Sequence, residues 1–489
     1  MTMLILNARV SGGTGSLVDL RLDGGVISSI TDVTSLPVEG DQLDAAGRWV
    51  SPGLWDNHVH ASQWALSARR LDVSAAESAR HAGELVAGAL ASGAVVAAGQ
   101  PFIGSGFRDG LWPDTPNLQV LDAAGAGVPV VLISGDLHSA WLNSAALDLY
   151  GHRNHDSGLL REHQAFEVAR RISSVPDELL DSWLADAGRA AAARGVVGIV
   201  DLEMDWNLDS WRRRMAAGFD SVRVEFGIYT QHLDRALGLG LHTGQAITPL
   251  LGVGRFKVIT DGSLNTRTAY CYDDYPGLEG REDSRGLLTV PPAELLARMH
   301  AASKTGLESS VHAIGDHATS LALDAFEQLG VGGRIEHAQL VADTDVPRFA
   351  AIGVTASVQP DHAMDDRDVA QKYWPGRTDR AFPLRALLDA GATLAFGSDA
   401  PVSTLDPWAT MAAAVDRSRG DREPWHPEQR ISAREALAAS ARSSVAVGQP
   451  ADLIVTDHDP SAMTARQLRD ATVRATLLAG RLTHNTCPA

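Results

Sequence analysis

Two histidines separated by one residue, His58 and His60, form the most distinctive local pattern in this sequence. They end the segment VSPGLWDNHVH, whose apolar residues are typical of a short β-strand. In an extended strand, side chains two residues apart face the same side, so both imidazoles could reach one metal ion. Taken alone the pair is weak evidence, because two polar residues at a strand edge give the same pattern.

Four further groups that could ligate a metal stand at the ends of other predicted strands. They are Lys257 in RFKVITDGS, His312 in SSVHAIGD, His337 in RIEHAQL and Asp399 in LAFGSDAP. A simpler interpretation exists for several of them, since a histidine can be a hydrogen-bonded strand-end residue and Asp399 can cap a helix. Lys257 is the least expected, because an apolar strand rarely carries an unpaired lysine charge.

The elements that would position these groups alternate between about residues 51 and 445, where strand-like apolar runs are followed by amphipathic helical stretches. This repetition predicts a parallel sheet covered on both faces. An eight-stranded barrel would bring the six groups together, because its active sites lie where the carboxyl ends of the strands converge. The pattern alone does not exclude a doubly wound sheet. The ten candidate strands lie near 53–58, 94–98, 130–135, 196–202, 222–229, 255–260, 308–313, 333–337, 353–358 and 393–398.

Both ends of the chain have a different pattern, made of short strands and tight turns. LVDLRL and VISSITD are joined by Asp23-Gly24-Gly25, a favourable hairpin turn because glycine accepts positive φ. ADLIVTDHD and VRATLLAGRLTH near the end look similar. We therefore expect residues 1–50 and 447–489 to meet in one small β domain, with residues 51–446 forming the catalytic unit.

Composition narrows the class of protein. The 489 residues include 42 basic and 60 acidic side chains, a formal charge of −18 that disfavours nucleic acid and anionic membranes as partners. No stretch reaches the about 18 uninterrupted apolar residues of a membrane helix, and the first residues do not resemble a signal peptide. Two cysteines are too few for a disulfide framework or a cysteine-rich zinc site. The sequence therefore predicts a cytoplasmic protein with a small-molecule substrate, in which any metal would be held by His, Asp, Glu or a less usual ligand.

Four imidazoles and a carboxylate suit a borderline divalent ion, most of all zinc. Zinc lowers the pKa of bound water from about 15.7 to about 7, which supplies hydroxide at neutral pH. A carboxylate beside that water can accept its proton and pass it to a leaving group. Asp399 is our candidate for this general base and acid.

Several longer segments, in order along the chain, resemble the amidohydrolase superfamily and its YtcJ-like branch, amidohydrolase family 3. The general signature is PGLWDNHVH, VHAIGDHA, RIEHAQ and GSDAPV; the branch signature is SGDLHSAWLNSAAL, GLLRE, FKVITDGSLNTRTA and DPWATMAAAVDR. The resemblance covers about residues 1–460. It implies an α/β fold, a (β/α)8 TIM barrel of the metal-dependent hydrolase type with a small β-sandwich built from both termini. The implied activity is hydrolysis of amide or related C–N bonds other than peptide bonds.

The resemblance also implies a ligand set. His58 and His60 with Asp399 would hold one metal, His312 with His337 a second, and Lys257 would bridge them, in related enzymes often as an N-carboxylated lysine. Family members differ in whether they bind one or two metals and in whether this lysine is carboxylated. Further residues are candidates for substrate contact or for supporting hydrogen bonds: Asp136, His138, Trp141, Asn143, Asp261, Arg267 and Asp316.

The sequence departs from the branch in two places, and the first, which lies where substrate loops would be, weakens any transfer of substrate identity. The usual loop before the second half of the barrel is replaced by GLWPDTPNLQVLD, and the last helix is shortened to ASARSSVAVGQPADL. The metal ligands are unaffected. The same site could instead deaminate an aminated heterocycle, and a non-catalytic binding protein on this fold is a third interpretation, disfavoured because all six ligand positions are occupied. A homodimer is expected from the resemblance alone.

Overall fold

The structure is a computed structural model that describes residues 2–33, 40–94, 100–173 and 175–487. Its strands are β1 (Thr2–Val10), β2 (Leu17–Asp23), β3 (Val26–Asp32), β4 (Asp41–Asp44), β5 (Trp49–Pro52), β6 (Leu54–Val59), β7 (Leu71–Asp72), β8 (Phe102–Phe107), β9 (Val130–Ser134), β10 (Ser139–Leu142), β11 (Leu159–Arg161), β12 (Val196–Asp201), β13 (Arg223–Tyr229), β14 (Ala246–Thr248), β15 (Leu251–Ile259), β16 (Ser309–Ala313), β17 (Gly333–His337), β18 (Val354–Val358), β19 (Leu394–Phe396), β20 (Leu453–Thr456), β21 (Val473–Leu478) and β22 (Arg481–Asn485).

The α-helices are α1 (Ala61–Ser67), α2 (Ala79–Ala91), α3 (Leu118–Gly125), α4 (Ser144–Tyr150), α5 (His163–Ile172), α6 (Asp177–Ala193), α7 (Asn207–Ala216), α8 (Leu233–Gly238), α9 (Pro292–Ser303), α10 (Asp316–Leu329), α11 (Val346–Ile352), α12 (His362–Tyr373), α13 (Leu384–Asp389), α14 (Pro407–Asp416), α15 (Ala433–Ala439) and α16 (Ala465–Arg469). Short 3₁₀ helices lie at Asp109–Leu111, Thr230–His232, Thr378–Arg380, Pro427–Gln429 and Pro460–Ala462.

Eight parallel strands form a closed barrel in the order β6, β12, β13, β15, β16, β17, β18 and β19. A parallel bridge between Val59 and Ala400 joins the two ends of this order. Their core is apolar, as expected for strands covered on both faces. The barrel prediction is therefore confirmed, and closure excludes the doubly wound alternative.

Eight of the ten candidate strands are the barrel strands. The segment at 130–135 instead corresponds to β9, which lies in a separate five-stranded sheet with β7, β8, β10 and β11. The segment at 94–98 lies largely outside the described residues. The second sheet lies within an insertion that leaves the barrel after β6 and returns at β12, and it packs on α2, α3, α4 and α5 through its own apolar clusters.

Strands from both ends of the chain share the third sheet, in the order β22, β21, β20, β5, β1, β2 and β3, with β4 paired to β1. Gly24 and Gly25 at the β2–β3 turn have φ of 59° and 85°, values that glycine adopts at no steric cost. The sheet has its own hydrophobic core. Strands from the two ends of the chain thus share one sheet, as the sequence analysis expected. The domain boundaries at residues 50 and 447 stay predictions. Among the described residues, no helix is long and apolar enough to cross a membrane.

Gly198 in β12 lies against the ring of Trp55, where the barrel meets the terminal sheet. A Cβ at this glycine would lie 2.4 Å from Trp55 Cε2. We expect Gly198→Ala to lower the free energy of unfolding by about 1–3 kcal/mol, because the large ring cannot move without disturbing its neighbours. Thermal unfolding checks this against Gly238→Ala in α8, where a Cβ would meet nothing within 4 Å. Equal midpoints for the two variants would contradict the prediction.

Candidate active site

The six candidate ligands lie at or near the carboxyl ends of barrel strands. His58 is the penultimate residue of β6 and His60 follows that strand. Lys257 is in β15, and His312 and His337 are near the ends of β16 and β17. Asp399 follows β19. The parallel strands thus direct six groups from distant parts of the sequence to one end of the barrel, as the fold requires of an active site.

The tightest potential metal site among the described residues is His58, His337 and Asp399, whose candidate ligand atoms lie within 4.8 Å of one another. Asp399 Oδ1 is 3.4 Å from His58 Nε2 and 3.2 Å from His60 Nε2. The rings of His312 and His337 are 4.4 Å apart between centroids. Each candidate ligand in these contacts thus lies beside another one. The group within 4.8 Å contains His337 where the sequence analysis expected His60. The number of metals stays a prediction.

Two buried side chains orient the histidines. His58 Nδ1–H donates to Glu336 Oε2 at 2.8 Å, and the same carboxylate accepts a hydrogen bond from Ser310. His337 Nδ1–H donates to Gln359 Oε1 at 2.9 Å. In each ring the Nε2 lone pair is thereby left for an ion, the arrangement usual for ligating histidines. The sequence analysis missed Glu336 and Gln359; an acid inside the apolar RIEH strand was the available signal.

The donor set fits a divalent cation. Asp399 Oδ1, His312 Nε2 and His60 Nδ1 are buried and lack a hydrogen-bond partner among the described residues. Burial holds the pKa values of His312 and His337 well below their usual range, so both rings are neutral and offer lone pairs. Buried acceptors that face one another without donors are stabilised by a cation, and this mixture of N and O ligands suits zinc.

Lys257 is 2% exposed, and burial lowers the pKa of its ammonium. The group forms no ion pair among the residues that the structure describes. Its surroundings contain Glu336 and Asp399, whose charges oppose the effect of burial on that pKa. A lysine of lowered pKa is neutral more often, and the neutral amine is the form that reacts with carbon dioxide.

A cavity of about 1130 Å³ opens over the ligand cluster. Of the seven additional residues singled out from the sequence, Asp136 and His138 line it and the other five do not. Trp141 is fully buried in the insertion and its Nε1 donates to Asn117 O. Asn143 caps α4. These two contacts hold the insertion together and do not reach the cavity.

Asp261, Arg267 and Asp316 also have structural partners. Asp261 accepts hydrogen bonds from the backbone N–H groups of Tyr270, Ile314 and Gly315, and burial raises its pKa to about 7. Asp316 accepts from Tyr272 N–H, and the guanidinium of Arg267 lies 5.4 Å from the centre of the Tyr373 ring. All three residues therefore make supporting contacts within the protein and do not line the cavity.

His138 has a partner that the sequence analysis did not identify, Glu162 of the GLLRE segment. His138 Nδ1 lies 3.0 Å from Glu162 Oε2. Burial alone would lower the pKa of His138, but the Glu162 carboxylate outweighs it and raises that pKa to about 9. The pair was hidden because its members are 24 residues apart in sequence and meet only through the sheet of the insertion.

The sequence profile of the Amidohydrolase family matches residues 41–484, nearly the whole chain. The protein therefore belongs to this family, and the resemblance inferred from its motifs is confirmed. It is 28% identical to Protein LONG AFTER FAR-RED 3 of Arabidopsis thaliana, over 89% of this chain and 79% of the relative. It is 25% identical to the N-substituted formamide deformylase of Arthrobacter pascens, over 98% of both chains.

The same fold occurs in a crystal structure of an uncharacterized metal-dependent hydrolase from Pyrococcus horikoshii OT3. That comparison has a TM-score of 0.77 at 24% identity and covers 95% of this chain and 99% of the other. It supports the barrel with its terminal β unit. The family and the buried donor set together define a metal-dependent amidohydrolase.

Glu336 offers a test of the metal site that does not depend on turnover. Glu336→Gln replaces the carboxylate that accepts from His58 Nδ1 and weakens the orientation of that ligand. We expect zinc affinity to fall about 10- to 100-fold, measured by competition with a chromophoric chelator. The matched control is Glu294→Gln on the exposed side of α9. Equal zinc affinities in the two variants would show that Glu336 does not support a metal ligand.

Proposed function

We propose that this metal-dependent amidohydrolase hydrolyses a C–N bond in an amide, formamide or cyclic amide of a small molecule, with Asp399 as general base and acid. The observation that carries the proposal is the buried cluster of candidate ligands that lines the cavity, in which Asp399 lies beside His58 and His337. The relative named N-substituted formamide deformylase supports formamides as the first substrates to test.

The residues we propose as metal ligands are His58, His60, His312, His337 and Asp399, with Lys257 bridging two ions if a second one binds. A bound divalent ion, which we propose to be zinc because of its ligand preferences, would polarise the carbonyl and acidify a water molecule. Lys257 would serve as a bridge only when N-carboxylated, because a carbamate is an anion whereas an ammonium is repelled by cations.

The contacts of Asp399 support its proposed role in moving the proton. Its Oδ1 lies at the centre of the cluster, 3.2 Å from His60 Nε2, and lacks a hydrogen-bond donor. Although burial alone would raise the pKa of Asp399, His58 and its neighbouring rings hold that pKa well below its usual range. The carboxylate can therefore accept a proton from the attacking water and return it to the leaving nitrogen. The water adds one oxygen to the acyl carbon, and the C–N bond breaks as the amine departs.

The cavity volume supports a small-molecule substrate, since pockets for such ligands commonly measure about 300–1,000 Å³. Deamination of an aminated heterocycle is the alternative reaction that the same donor set could serve. The two reactions differ in their products, because deamination releases ammonia whereas amide hydrolysis releases an amine and a carboxylic acid. The homodimer and the cytoplasmic location expected from the sequence stay predictions.

Asp399→Asn removes the proposed proton carrier while keeping the size of the side chain. We expect kcat for hydrolysis of N-alkyl and N-aryl formamides to fall about 10²- to 10⁴-fold. Formate, amine and ammonia are assayed together, and bound metal is measured by elemental analysis. Asp389→Asn, at an exposed position in α13, is the control. Unchanged turnover in Asp399→Asn, with no transition metal in protein purified without chelators, would refute the proposed function.

Carboxylation of Lys257 has a direct spectroscopic test. Protein incubated with zinc and ¹³C-bicarbonate should give a protein-bound carbamate carbon signal in the NMR spectrum. That signal should be absent from Lys257→Gln and retained in Lys304→Gln, which alters an exposed lysine after α9. A spectrum without the signal in the wild-type protein, or one in which it persists in Lys257→Gln, would exclude the modified lysine.

A further inference from the structure

One of the polar side chains that the insertion contributes to the cavity lies beside the cluster of candidate ligands. His138 lies in the turn between β9 and β10 and lines the cavity. Its ring centroid is 6.4 Å from that of His312. A substrate seated on the cluster therefore has His138 at its side, although no strand of the barrel carries this residue.

The backbone of His138 is fixed relative to the barrel. Asp136 Oδ1 accepts hydrogen bonds from the His138 backbone N–H at 3.1 Å and from Ser134 Oγ at 2.6 Å. Asp136 Oδ2 accepts from Ser263 Oγ at 2.8 Å, and Ser263 belongs to the loop that follows β15. The turn is thereby attached to the loop after the strand that carries Lys257. Both oxygens of Asp136 thus accept hydrogen bonds from the protein.

The ring of His138 is held equally firmly. Glu162 Oε2 contacts His138 Nδ1. Glu162 Oε1 accepts hydrogen bonds from Thr268 Oγ1 at 2.8 Å and Thr266 Oγ1 at 3.1 Å. Phe166 packs edge-on against the ring at 5.4 Å between centroids. Glu162 has a φ of 49°, a costly conformation for a residue with a side chain. Such a strained backbone is kept where several contacts hold the residue in place. The contacts of Glu162 with His138, Thr266 and Thr268 do so here.

We propose that His138 binds substrate through Nε2, which hydrogen-bonds to an oxygen acceptor of the substrate, and that Glu162 is its positioning residue. The inference rests on the proposed function, because it needs a substrate on the metal cluster. Nδ1 contacts Glu162, whereas Nε2 has no hydrogen-bond partner among the described residues. The Glu162 carboxylate favours positive charge on the ring, so the complementary group is an acceptor.

The acceptor has two chemical sources, the scissile carbonyl and a carboxylate elsewhere in the substrate. Neutral N-alkyl formamides contain only the first, whereas N-formyl amino acids contain both. Loss of activity on both substrates would identify the scissile carbonyl as the partner. Loss confined to the N-formyl amino acids would identify their carboxylate as the partner.

The decisive comparison is between His138→Gln and His138→Asn. A glutamine amide reaches the position of Nε2, whereas an asparagine amide reaches that of Nδ1, so both keep a polar side chain but only one keeps the cavity contact. We expect kcat/KM to fall about 10- to 100-fold in His138→Asn and in His138→Leu, and less in His138→Gln. Glu162→Gln should fall between them. His300→Leu, an exposed histidine on α9, is the control and should match the wild-type protein.

Bound zinc and thermal midpoints are measured for every variant, because a purely structural role would lower both and would not distinguish Gln from Asn. If His138→Leu fails to fold, the Gln and Asn pair decides the question. Activity of His138→Asn equal to or above that of His138→Gln overturns the proposal. If Asp399→Asn abolishes turnover while the His138 variants retain it, the role of His138 fails and the proposed function stands. If Asp399→Asn also retains turnover, the proposed function itself fails.

Discussion

Closure of the barrel between its first and last strands is the constraint on which the site depends. Asp399 N–H donates to His58 O at 2.8 Å, and His60 N–H donates to Ala400 O at 2.8 Å. These backbone bonds bring the two ligands of β6 beside a carboxylate more than 300 residues later. Gly397 makes the approach feasible, because a Cβ there would lie 2.6 Å from His58 N. A larger residue at this position would separate the strands and, with them, the ligands.

The sequence predicted those parts of the site that follow from strand geometry. In a parallel barrel, a polar residue at the end of an apolar strand lies at the face where the carboxyl ends of the strands converge. The six groups could therefore be selected from the sequence alone. Eight of the ten candidate strands are barrel strands for the same reason. The segment at 130–135 could not be separated from them, since β9 is as apolar and as buried as a barrel strand. Its place in another sheet depends on pairing partners, which hydrophobicity does not encode.

The supporting residues were less predictable because their partners are distant in sequence. Glu336 contacts His58 and Glu162 contacts His138. An acid inside an apolar strand marks Glu336 as unusual but does not identify its partner, and a glutamate at a helix start gives no signal at all. Family motifs were informative in a different way. Trp141 and Asn143 belong to the branch-signature segment SGDLHSAWLNSAAL, but their contacts stabilise the insertion, so a family motif there reflects packing. Within the same segment only the turn residues reach the cavity.

Burial gives the cluster its chemistry in two ways. It keeps His312 and His337 neutral, and only a neutral imidazole can give its lone pair to a metal. It also lowers the pKa of Lys257, which increases the fraction of the neutral, reactive amine. The same apolar surroundings would make an unpaired carboxylate costly, and Glu336 avoids that cost through His58 and Ser310. In this buried cluster the Nδ1 atoms of His58 and His337 have hydrogen-bond partners, whereas Asp399 Oδ1 and His312 Nε2 have none among the described residues. A bound cation would supply the charge that these ligand atoms lack.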